Sequence, residues 1–245
     1  MSLKQAISVI LIACFKLILI LTGMKRNFNA LKTKLLLAVC ILFFHEMSFS
    51  QNTDFERIRS INRIDETRGF SKVISHTTTE VAFIAPITLG IVALIQRDDE
   101  MLKDGIYMLA SNVVITGILT HSVKNIVNRQ RPFAAYPDEI TQYDFTVGRS
   151  RSFPSGHTSL AFASATALSL KYPRWYVIAP SYFWACSVGY SRMNLGVHYP
   201  SDVAVGAVFG VGSAYLTYLL NEWFWEKTEN KRILSDKKAK AEVWY

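Results

Sequence analysis

The sequence predicts an all-α protein, a membrane-embedded helical bundle with about five core helices after an N-terminal signal or anchor segment. Apolar segments at residues 81–95, 106–120, 158–170, 175–190 and 203–220 are the first ground for this reading. The second is composition: 50% of the 245 residues are hydrophobic and 19% are charged, an apolar balance for a soluble protein. The third is that no stretch alternates polar and apolar residues with hairpin turn signals, so strands have no support.

Several of the five segments fall short of the roughly 20 residues a spanning helix needs. Extending them through weakly polar flanks makes most long enough, with 158–170 remaining the shortest case. They are rich in Ala, Gly and Ser, which lets helix backbones approach closely. No internal repeat is evident.

Before the bundle come two other regions. Residues 1–50 read as a signal or anchor region: a basic cluster from Lys25 to Lys34, an apolar run from Leu35 to Phe44, then Ser48-Phe49-Ser50, whose small residues suit cleavage after Ser50. An uncleaved anchor is the alternative. Two passes before residue 50 would place the basic cluster outside, against the positive-inside tendency, so Met24 is a candidate true start. Residues 51–78 carry Phe55, Ile58, Ile61 and Ile64 at spacings of three, the pattern of an amphipathic interfacial segment or of an ordinary packing helix. Residues 79–225 form the helical domain, and 226–245 a basic tail.

If consecutive spans alternate sides, the loops at 125–154 and 191–201 emerge on one face, and the tail with Lys227, Lys231, Arg232, Lys237, Lys238 and Lys240 on the other. The basic tail marks its face as cytoplasmic, leaving the two loops periplasmic in a bacterial-type inner membrane. The net charge of +8 does not point to nucleic acid, because the basic residues form no continuous face with interleaved aromatics. Cys14, Cys40 and Cys186 lack metal-knuckle or redox spacing and read as core filling.

Three clusters converge on the loop face: Lys124-Asn125-Ile126-Val127-Asn128-Arg129-Gln130-Arg131-Pro132, then Pro154-Ser155-Gly156-His157, then Ser191-Arg192 through His198 to Asp202. Taken singly, each has an ordinary reading: an interfacial basic belt, a helix start, a solvated turn. Together they offer Lys124, Arg131 and Arg192 as cations, with two histidines, a carboxylate and a glycine-permitted helix N-terminus. That inventory suits phosphoryl chemistry, where spread negative charge is held by cations and backbone N–H donors. Arg131 and Arg192 can bind bidentately and Lys124 acts as a point charge. Pro200 suits the first helical position and would put Asp202 in the first turn, where a carboxylate is favoured. His121 reads as a helix-face histidine near the interface.

The order K-x6-R-P, P-S-G-H, S-R-x5-H-x3-D resembles the phosphatidic acid phosphatase type 2 superfamily, which includes membrane lipid phosphatases, soluble bacterial class A acid phosphatases and vanadium haloperoxidases. Every fixed position of the three motifs is present between Lys124 and Asp202. The resemblance implies that His198 is the nucleophile forming a phosphohistidine, that Asp202 holds its far ring nitrogen, and that His157 protonates the leaving alkoxide and then activates water. It implies phosphate binding by Lys124, Arg131, Ser155, Gly156 and Arg192, with no metal and no cofactor. The activity expected is metal-independent hydrolysis of lipid phosphate mono- or diphosphoesters at the periplasmic face, with the bilayer and a lipid phosphate as partners.

Three other activities fit parts of the same pattern. A soluble periplasmic broad-specificity acid phosphatase is the main alternative, kept open by the short apolar segments. A vanadate-dependent peroxidase fits the oxyanion site but not the modest length, and a non-catalytic lipid-binding protein has no use for both histidines and Asp202.

Overall fold

The computed structural model describes residues 51–113, 120–149 and 151–242. Expectations for the signal or anchor region and for Met24 lie outside them. In chain order the helices are α1 (Gln51–Asn62), α2 (Arg68–Gln96), α3 (Asp99–Val113), α4 (His121–Val127), α5 (Pro132–Ala135), α6 (Gly156–Lys171), α7 (Trp175–Asn194) and α8 (Pro200–Glu242). The described residues contain no strand, so the all-α expectation holds. The described chain divides into two compact units, one of residues 51–73, 120–155 and 190–205, the other of residues 74–113, 156–189 and 206–242.

The first unit packs around an apolar cluster. Ile58 of α1 is fully buried among Phe133, Ile140, Leu195, Val197 and Tyr199, which is worth about 1.5–3 kcal/mol for a side chain of its size. The periodic stretch within residues 51–78 is not one helix: α1 ends at Asn62 and α2 begins at Arg68. Asn62 turns the chain there. Its amide donates to the carbonyls of Thr141 and Asn194 at 3.0 Å, and its oxygen accepts the Thr141 N–H at 2.9 Å. Asn194 returns the contact to the carbonyls of Ile61 and Ile64. Gly196 completes this knot: its φ is +75°, and a Cβ there would run into the carbonyl oxygen of Thr141.

The second unit is built from close helix contacts. Ala161, Ala163, Ala165 and Ala167 of α6 are almost wholly buried. Gly210 of α8 meets the backbone of Ser159 and Ala163, so that a Cβ would not fit. Buried polar groups are satisfied across helices: Tyr107 Oη donates to the carbonyl of Ala214 at 3.0 Å, and Asn112 Nδ2 to that of Ala82. Such contacts between small residues, with polar groups as cross-ties, are those of helices packed in lipid.

Among the described residues, two helical stretches are long and apolar enough to cross a membrane, Arg68–Gln96 and Pro200–Thr228. The segment at 158–170 becomes a helix of 16 residues, about 24 Å long and shorter than a hydrocarbon core of about 30 Å. Val81, Ile84, Ile87, Ile91 and Leu94 lie three or four residues apart on α2 and are all exposed. Cys186, expected to fill the core, is exposed on α7.

Candidate active site

The site lies in the first unit, where α4, the chain on either side of Ser152, and the junction between α7 and α8 meet. Asn128 ends α4 in the left-handed conformation and returns its N–H to the carbonyl of Lys124 at 3.0 Å. The next residues run alongside the second loop segment, with Arg131 N–H bonded to the Arg149 carbonyl and Ser152 N–H to that of Arg129. Pro132 then starts α5 with Arg131 as its N-cap, so the K-x6-R-P spacing is the length of a short helix plus one reversal.

On the other side, α7 runs further than the sequence suggested. Arg192 is in its last turn rather than in a loop. Its carbonyl accepts the N–H groups of Val197 and His198 at 3.2 and 3.3 Å, folding His198 back over the helix end. Helix α8 begins at Pro200, and Asp202 stands in its first turn as the Pro200 spacing predicted. Asp202 Oδ2 accepts the N–H of Tyr199 at 2.9 Å, the reciprocal arm of a capping box.

The catalytic candidates are buried together. His198 Nε2 lies 3.1 Å from Arg131 Nη1, and its Nδ1 lies 3.5 Å from Asp202 Oδ2, long for a hydrogen bond. A guanidinium only donates, so Nε2 is the acceptor and carries the lone pair. The ring proton therefore belongs on Nδ1, facing the carboxylate. Burial, reinforced by the charges of Arg131 and Arg192, holds His198 well below the usual imidazole range, with Asp202 opposing. The imidazole is neutral at physiological pH, with its lone pair on the cationic side.

Arg131 Nη1 also donates to the carbonyl of Val197 at 2.9 Å. Burial and then Arg192 lower its guanidinium to about 10. Lys124 Nζ bonds the Arg151 carbonyl at 2.9 Å, and burial, with Arg131 next, brings its ammonium down to about 8. Arg192 is completely buried and pairs with Asp144 of the long loop at 2.8 Å. Burial works to raise Asp144, but hydrogen bonds from Thr146 and the Arg192 charge outweigh it and hold the carboxyl at about 2. Ser155 is buried and its N–H bonds the Asp202 carbonyl at 3.0 Å.

Lys124, Arg131, Ser155, Arg192, His198 and Asp202 thus share one body. Gly156 and His157 open α6, in the second unit, immediately after Ser155 in the chain. Three contributors went unmarked by sequence reasoning. Arg129 Nη1 bonds Asp202 Oδ1 at 2.8 Å, Ser152 Oγ bonds Asp202 Oδ2, and Asp54 of α1 pairs with Arg129. Arg129 stands inside a motif gap, two residues before Arg131, and its charge was the available signal. His121 is exposed on α4. Among the described residues no group of three or more His, Cys, Asp or Glu is placed to hold a metal ion.

Residues 102–226 match the PAP2 superfamily. The chain belongs to that superfamily. The PAP2 match spans all three motifs. The chain is 35% identical over 112 residues to a lipid A 1-phosphatase of Rhizobium johnstonii, a match covering 44% of this chain and 44% of that protein. It thus spans under half the length of this curated relative. The crystal structure of Aquifex aeolicus LpxE is similar with a TM-score of 0.57 and 30% identity, covering 66% of this chain and 93% of that one. A transmembrane PAP2-type phosphatidylglycerolphosphate phosphatase of Bacillus subtilis shares the fold, with a TM-score of 0.62 and 20% identity over 76% of this chain and 94% of that one.

Proposed function

We propose that the protein is a membrane-embedded PAP2 phosphatase that hydrolyses phosphate mono- or diphosphoesters carried on lipids. The observation that carries this reading is the polarity of His198: Nδ1 toward Asp202, and an unprotonated Nε2 toward Arg131. A nucleophilic nitrogen beside a guanidinium is suited to attack a phosphorus whose oxygens that guanidinium binds.

In this reading the phosphate oxygens are held by Lys124, Arg131, Arg192, the Ser155 hydroxyl and the Gly156 N–H. Nε2 forms a bond to phosphorus as the P–O bond to the leaving group breaks, and His157 gives its proton to the departing oxygen, that of an alkoxide from a monoester or of a lipid phosphate from a diphosphate. The phosphorylated ring is cationic, and its Nδ1–H is balanced by Asp202. His157 then takes a proton from water, the oxygen attacks phosphorus, and the P–N bond breaks to release inorganic phosphate. The cationic side chains supply the counter-charge, so no metal or cofactor enters the scheme.

The exposed apolar stripe on α2 favours lipid over water around the bundle and disfavours the soluble acid phosphatase alternative. Orientation with the site toward the periplasm rests on the basic tail of the sequence. Phosphate release by purified protein across lipid A, prenyl diphosphate, phosphatidylglycerophosphate, phosphatidic acid and a soluble ester tests the reading. Turnover of lipid phosphates with a phosphohistidine that vanishes in His198→Ala supports it. Full activity of detergent-free extracts on soluble esters alone, or normal turnover by His198→Ala, overturns it.

A further inference from the structure

One side chain of α1 reaches the catalytic carboxylate from behind. Asp54 is 3% exposed, unusual for a carboxylate near the end of a surface helix. Its Oδ2 pairs with Arg129 Nη2 at 3.1 Å and accepts the Ser201 hydroxyl, while its Oδ1 accepts the Ser201 N–H at 3.2 Å. Arg129 turns its other terminal nitrogen to Asp202 Oδ1 and to Ser201 Oγ, both at 2.8 Å, and stacks on the Tyr199 ring with 3.8 Å to the centroid. Asp54, Arg129, Asp202 and His198 therefore form one continuous row, buried except at the partly exposed Arg129.

Two physical consequences follow. Ser201 is the second residue of α8, so its N–H has no partner within the helix; Asp54 supplies one and pins the turn that carries Asp202. Arg129 by itself would also draw the Asp202 charge away from His198. A second carboxylate on the guanidinium divides that pull, leaving Asp202 negative enough to support the imidazole ring when it becomes cationic. We propose that Asp54 is a positioning residue for catalysis, acting through Arg129 and the α8 N-terminus to fix Asp202 against His198. Helix α1 lies outside residues 102–226, which match the superfamily.

The inference rests on the phosphatase reading above, and its test separates the two. Wild-type protein that releases phosphate from no lipid phosphate and no soluble ester defeats the reading itself. With an active wild type, Asp54→Asn is expected to lower kcat at least 10-fold with KM changed less than 3-fold, and Asp54→Glu to recover most of the loss. A role limited to stability would lower the unfolding temperature and the yield of active protein, without the recovery in kcat per active site counted by phosphoenzyme labelling. Retention of wild-type kcat by Asp54→Asn overturns the inference. Should that variant fail to fold, Arg129→Met and Asp54→Asn/Arg129→Met decide. Both charges are then gone, and the double variant is expected to match the single one within 3-fold. A further 10-fold loss in the double variant shows that Asp54 does not act through Arg129 and overturns the inference.

Discussion

Replacing Asp202 by asparagine keeps the side-chain shape and changes the sign of one hydrogen-bonding position. The wild-type carboxylate is surrounded by donors: Arg129 Nη1 at 2.8 Å on Oδ1, then the Tyr199 N–H at 2.9 Å, the Ser152 hydroxyl and His198 Nδ1 at 3.5 Å on Oδ2. An amide NH2 placed at Oδ1 faces the guanidinium donor head-on. Placed at Oδ2, it opposes the Tyr199 N–H and turns the imidazole, whose proton moves to Nε2. In that tautomer the nucleophilic lone pair is gone and Nε2–H points at Arg131. The loss of kcat expected is about 10⁴-fold, by analogy with the same tautomer error in a hydrolytic triad. This corresponds to about 5.5 kcal/mol of transition-state stabilisation, at about 1.4 kcal/mol per tenfold. Rapid-quench measurement of phosphoenzyme formation locates the defect in the first chemical step, and ¹⁵N shifts of His198 report the tautomer. Asp202→Asn turning over within 10-fold of wild type, with Nδ1 still protonated, would refute the reasoning.

Other expectations concern single groups. His198→Ala should abolish both turnover and acid-labile phosphoenzyme, whereas His157→Ala should lose turnover while retaining vanadate binding, measured by equilibrium titration. Lys124 is charged below about pH 8 and neutral above it, so substrate affinity should fall as pH rises through that value. Lys124→Arg should carry the rise in KM to higher pH, and an unmoved KM profile would remove Lys124 from the phosphate site. Gly196→Ala forces a β-carbon onto the Thr141 carbonyl at a positive φ. The conformation alone costs about 1–2 kcal/mol, before the clash, so denaturant unfolding should show a loss above that range.

The site was legible in the sequence where its chemistry is local. Pro200 and Asp202 stand at fixed places in one helix turn, so spacing placed the carboxylate in the first turn of its helix, while its pairing with His198 came from the family resemblance. The K-x6-R-P gap likewise encodes one short helix and its reversal. What escaped were the groups that stand behind the ligands. Arg129 meets Asp54 across 75 positions of sequence and Asp202 across 73, and no periodicity encodes such pairings. The break between α1 and α2 escaped because Ile58, Ile61 and Ile64 continue a helical spacing, while the turn is set by Asn62 bonding to residues 141 and 194. Arg192 read as a loop residue because polarity changes before the helix does. The helix end is fixed instead by Leu195 and Gly196, whose reversal depends on space beside Thr141.

The Asp54–Arg129–Asp202 bridge also bears on sidedness. Charges joined by direct contacts of 3.1 and 2.8 Å cannot straddle a hydrocarbon layer, so Asp54 stands on the same side of a bilayer as Arg129 and Asp202. A reporter peptide inserted next to Gln51 would therefore declare, by its protection from added protease in sealed vesicles, the side of the membrane that the proposed site faces.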